Sequence, residues 1–165
     1  MILQSILLLG LLGGSGHGSR WANSHVVTKP AGWRLEVDTD RFGGKVTCSL
    51  QKQHVRVVNG WVTLQLGRDV YTQYAEVRLD DGPARPARSF PQPLVDPNDT
   101  SGDPILNPSG GRVVLPQVEA IHARTAWVRP RPQARVARFD LAGLPEAVAA
   151  ATRAGCPSEA PGFVR

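Results

Sequence analysis

The stretch His54–Leu66, HVRVVNGWVTLQL, constrains this chain more than any other. Asn59-Gly60 is a residue pair that a two-residue type I′ hairpin turn prefers, because both positions need a positive φ. The turn then dictates the pairing. With Val58 opposite Trp61, Val57 faces Val62 and Val55 faces Leu64, and one face is apolar. Arg56 and Thr63, then His54 and Gln65, share the other face. A slip of one residue would turn every apolar side chain outward. A hairpin with one buried face needs further strands and a second layer to cover it.

Other segments repeat the alternation. WRLEVD (Trp33–Asp38) sets Trp33, Leu35 and Val37 against Arg34, Glu36 and Asp38. KVTCSLQ (Lys45–Gln51) puts Val46, Cys48 and Leu50 on one inner face. TQYAEVRLDDG (Thr72–Gly82) opposes Ala75, Val77 and Leu79 to Tyr74, Glu76 and Arg78. NPSGGRVVLP (Asn107–Pro116) reads as a glycine turn into a strand, and QVEAIHA (Gln117–Ala123) as one helical turn. RTAWVRP (Arg124–Pro130) and ARVARFDL (Ala134–Leu141) supply two more strands. The 17 glycines and 14 prolines suit many short strands and turns. A length of 165 residues is one domain with a real core. The expected fold is mainly β: a small antiparallel sandwich or open barrel of about seven or eight short strands with one C-terminal helix packed on it. The domain spans residues 25–156. Six prolines in the 22 residues from Pro83 to Pro104 read as an irregular loop, and residues 157–165 as a flexible tail.

The closing helix is predicted from about Pro145 to Ala154. Pro145 suits a first helical position, Glu146 and Arg153 suit the two ends of the dipole, and Leu144, Ala147, Val148 and Ala151 form the apolar stripe. Gly155 is placed to end it in a left-handed cap, with Pro157 blocking continuation.

Residues 1–24 read as a signal peptide. Ile2–Leu12 is an apolar run too short for a bilayer, which takes about 20 residues, and small residues follow it. The mature chain then has no transmembrane helix, and the periplasm or the exterior is the expected location. Disulfides persist there. Cys48 and Cys156 are the only cysteines, so Cys48–Cys156 is the expected pair. Cys156 stands at a helix C-terminus, where the dipole disfavours a reactive thiolate.

The formal net charge is +5, almost all of it from 16 arginines against 3 lysines. Between Arg112 and Arg138 there are six arginines and one acidic residue, Glu119. Arg124, Trp127, Arg129, Arg131, Arg135 and Arg138 are the candidate anion-binding residues, since guanidinium forks bind oxyanions and an aromatic lies among them. The plainer reading is a solvated sheet face whose alkyl stems cover apolar surface. No catalytic residue, metal site or cofactor is indicated. His25, His54 and His122 lack ligand spacing. Asp38-Thr39-Asp40 with Gly43 lacks the acidic residue that would close a calcium loop and reads as a turn. NPSGG lacks the lysine of a phosphate loop.

Phe139, Leu141, Gly143, Leu144 and Ala147, in a closing FDLAGLPEAVAAATRAGC, resemble the end of the invasion-associated locus B family, small secreted alphaproteobacterial envelope proteins. The likeness covers mainly the last twenty residues and the general layout, and carries over no catalytic residues. It implies an envelope β-protein. The leading expectation is a secreted or periplasmic, non-enzymatic envelope protein with a structural or interaction role. Its partner would be an anionic envelope polymer or another envelope protein. One alternative is a binding module that takes an anionic ligand on an arginine-rich strand face. Another is a secreted hydrolase with a dispersed site.

Overall fold

Hairpin chemistry sets the first half of the molecule. The computed structural model describes residues 24–40, 43–92 and 110–157, so nearly all of the segment expected to be a signal peptide and most of the expected tail lie outside the described residues. Five strands follow one another as a meander: β1 (Ser24–Thr28), β2 (Arg34–Thr39), β3 (Val46–Lys52), β4 (Val55–Val58) and β5 (Trp61–Gln65). Each pairs antiparallel with the next, and β8 (Arg112–Pro116) joins beyond β5. The β4–β5 register is the one the Asn-Gly turn demands, with Val58 opposite Trp61 and Val55 opposite Leu64. Asn59 and Gly60 have φ of 48° and 77°.

The second sheet has the order β10–β9–β6–β7, all antiparallel. Its strands are β6 (Glu76–Leu79), β7 (Arg85–Pro86), β9 (Thr125–Arg129) and β10 (Ala137–Asp140). A short α1 (Gln117–Ala120) links β8 to β9, and α2 (Leu144–Arg153) closes the chain. One core joins both sheets and α2: Leu35, Leu50, Val62, Leu64 and Leu115 from the first sheet, Val77, Val128 and Phe139 from the second, Leu144 and Ala147 from α2. The protein is a β-sandwich with a C-terminal helix, as its alternation predicts.

Two strands beyond the eight anticipated are present. In β1, Val26 and Val27 are both largely exposed, so no apolar alternation marks it. In β7, Arg85 and Pro86 pair with Val77 and Glu76 inside the segment expected to be an irregular loop. Residues 83–92 belong to the fold. The Ala87 amide donates to the Ala75 carbonyl at 2.7 Å, and Phe90 is buried in the core. Residues 93–104 of that loop lie outside the described residues.

Two devices tie the early strands to the segment around α2. Cys48 and Cys156 form a disulfide with a Cα–Cα distance of 5.8 Å, tying β3 to the end of α2. Gly155, with φ of 86°, turns the chain out of the helix so that Cys156 reaches β3. The second device gathers on one carbonyl. The Ala142 oxygen accepts from the Trp33 indole Nε1 at 3.0 Å and from the Lys52 Nζ at 2.8 Å. Lys52 also pairs with the Asp140 carboxylate at 2.8 Å and lies 5.7 Å from the Trp33 ring centroid. The Ala142 amide donates to Asp140 at 2.9 Å. Gly143 completes the corner. Its φ is +79°, and a Cβ there would lie 2.7 Å from the Ala31 carbonyl oxygen, so the turn before α2 can press against residues 30–32 only with glycine.

The Lys52 ammonium, then the Ala142 amide, hold the Asp140 carboxyl below the ordinary aspartate value, against a smaller opposing effect of burial. A carboxylate whose pKa is lowered by folding adds stability above its unfolded pKa, and loses it as the pH falls through the folded value. Urea midpoints measured downward from neutrality should therefore fall in acid, and Asp140→Asn should flatten that limb. The two curves remaining parallel would show that the Lys52–Asp140 pair contributes nothing. Asp140 is partly exposed, so the effect is modest.

Candidate anion-binding face

The second sheet buries Ala126 and Val128 of β9, Val77 of β6 and Phe139 of β10. Alternation then turns Trp127, Arg78 and Arg138 outward. The register lines these three up: Arg138 on β10 is opposite Trp127 on β9, which is opposite Arg78 on β6. Both guanidinium carbons lie 5.6 Å from the Trp127 ring centroid, one coming from each neighbouring strand. A cation over an aromatic face gains about 0.5–1 kcal/mol at an exposed site. The indole thus restrains two otherwise mobile side chains and leaves their N–H edges available to an oxyanion. Neither arginine forms an ion pair among the described residues.

The adjoining row behaves differently. Arg129 is opposite Glu76 and pairs with it at 3.3 Å, so its charge is answered within the sheet. Arg124 stands at the other end of β9, where its backbone amide and that of Thr125 donate to the Asp80 carboxylate at 3.0 and 2.8 Å. Arg131 and Arg135 lie in the β9–β10 connection and turn toward the β5–β6 loop. The six candidate residues therefore do not share one face. Trp127, Arg129 and Arg138 do, and Arg78 joins them.

Arg78 was missed as a candidate because it lies outside the arginine-rich stretch. Its outward orientation was legible in the alternation of β6. That β6 would lie beside β9, with β10 on the other flank, was not.

The histidines are dispersed. His25 on β1 contacts Asp38 at 2.7 Å, His54 precedes β4 and His122 follows α1. Among the described residues no three His, Cys, Asp or Glu side chains gather as a metal site. Asp40 closes a turn, its carboxylate accepting from the Gly43 amide at 3.1 Å. No helix among the described residues is long and apolar enough to cross a membrane. No protein-family model, curated protein or solved structure matches the chain.

Proposed function

We propose that this chain is an exported, non-enzymatic interaction module of the cell envelope, and that the outer face of the β10–β9–β6–β7 sheet is its contact surface for an anionic polymer. The observation that carries this reading is the row Arg78–Trp127–Arg138, two indole-restrained guanidiniums on one exposed sheet face, neither in an ion pair among the described residues. Guanidinium forks chelate carboxylate, sulfate and phosphate oxygens, and a restrained fork loses less entropy on binding than a free one. The disulfide favours an oxidising compartment, and the apolar segment at residues 2–12 favours export. The likeness of the closing stretch to the invasion-associated locus B family points the same way. The dispersed hydrolase site has no observation of its own among the described residues.

Heparin serves as a test polyanion. Arg78→Gln with Arg138→Gln should weaken binding about tenfold and lower the salt slope by roughly two, as expected when two cation–oxyanion contacts are lost. Arg124→Gln with Arg153→Gln removes the same charge from exposed positions elsewhere. Equal losses in the two double variants would mean that net charge alone drives binding, with no dedicated face.

A further inference from the structure

Arg131 and Arg135 leave the sheet face for a different place. The β9–β10 connection turns at Arg131–Ala134, where the Ala134 amide donates to the Arg131 carbonyl at 3.1 Å and Gln133 takes a left-handed φ of 64°. This brings both arginines to one side of the turn. Opposite them runs the loop from β5 to β6. Between the two lies an open depression of about 430 Å³ at one end of the sandwich. Its walls combine two kinds of surface. Leu66, Val70 and Pro130 line it with apolar residues, and Tyr71 adds an aromatic one. Arg131 and Arg135 supply two guanidiniums at the rim, both exposed. Neither forms an ion pair among the described residues. Asp69 also reaches the depression and is the one acidic group there.

We infer that this depression is a separate ligand site, taking a small oxyanion carried on an apolar or aromatic body: an organic phosphate monoester or carboxylate. Each part of the surface selects for part of that ligand. Two unpaired guanidiniums match a group with several charged oxygens. Apolar walls match a body that an inorganic ion lacks, and a hollow of this size holds a small organic molecule. A polymer lying on the outer sheet face has no need of this hollow, so the site stands independently of that reading.

The test is an amide NMR titration of the full-length chain with phenyl phosphate, alongside inorganic phosphate. Phenyl phosphate should saturate with shifts concentrated at residues 66–71 and 130–137, and inorganic phosphate should bind several-fold more weakly. Arg131→Gln with Arg135→Gln should weaken phenyl phosphate binding at least about tenfold while the rest of the spectrum stays unchanged. Arg78→Gln with Arg138→Gln should leave it intact. Shifts spread over all the arginines, equal affinity for the two phosphates, or unaltered binding by the Arg131/Arg135 variant would each overturn the assignment. Val70→Ser checks the apolar wall without adding charge beside the arginines, and should weaken phenyl phosphate binding while leaving inorganic phosphate unchanged; an unaltered preference for phenyl phosphate would overturn the apolar half of the inference.

Discussion

Replacing Cys48 and Cys156 together by alanine should lower the unfolding free energy by about 3–4 kcal/mol. The bond closes a loop of 108 residues, and a cross-link between positions so far apart removes much of the freedom of the unfolded chain. The native side of the balance adds to this. Cys156 is buried in the core, and it fixes the end of an α2 that buries only Leu144, Ala147 and Ala151. Alanine stripes bury little area, so α2 has limited packing of its own to hold it against β2 and β3. For a domain of this size the thermal midpoint should drop on the order of 10 °C. Thermal melts of the double variant and of the reduced wild type should coincide with each other and lie well below the oxidised protein. A double variant that melts with the oxidised wild type would show that α2 needs no tie.

Trp33→Ala should cost a comparable amount, about 3–5 kcal/mol. Trp33 is fully buried and makes three kinds of contact at once. Its ring fills the core beneath α2, its Nε1 donates to Ala142, and Lys52 stands over its face. Removing the ring leaves a cavity that neighbouring β-strands cannot close. It also deprives Lys52, a largely buried ammonium, of its aromatic neighbour. Trp33→Phe separates the effects. It keeps most of the volume and loses the indole N–H, while the Ala142 oxygen still accepts from Lys52, so about 1–2 kcal/mol should be lost. Urea denaturation of both variants measures the difference. A Trp33→Ala loss below that expected for Trp33→Phe would refute the central role given to this side chain.

Local rules carried much of the fold and little of the site. The β4–β5 register follows from Asn59-Gly60 because a two-residue turn leaves no other pairing. The helix ends follow from Pro145 and Gly155, and the disulfide from two cysteines in a chain whose sequence leads one to expect export. β1 escaped because an edge strand exposed on both faces has no reason to alternate. β7 escaped because a two-residue strand containing proline looks like a turn; only Phe90, anchored in the core, betrays that its surroundings are ordered. The arginine face depended on which strands lie side by side, and strand order is a tertiary fact. A run of arginines in sequence was split by the β9–β10 turn, which sent Arg131 and Arg135 to the sandwich end. Arg78, fifty residues or so upstream, was brought in by pairing of β6 with β9. The Lys52–Ala142–Asp140 network was equally hidden, because it joins positions 90 residues apart through a carbonyl any residue could supply.

The meander also sets an order of assembly. β1 through β4 pair only with neighbours in sequence and β5 alone waits for the distant β8, so the five-strand meander is rich in local contacts and can form early. The second sheet is assembled from distant segments, with β6 waiting for β9. Cys48 is synthesised 108 residues before Cys156, on a strand whose partners are already at hand. During that interval it is a lone thiol on a nascent sheet. Its oxidation has to await the last helix, so the bond is a seal on a completed chain, and a truncated chain lacking α2 would carry a free cysteine as the mark of its incompleteness.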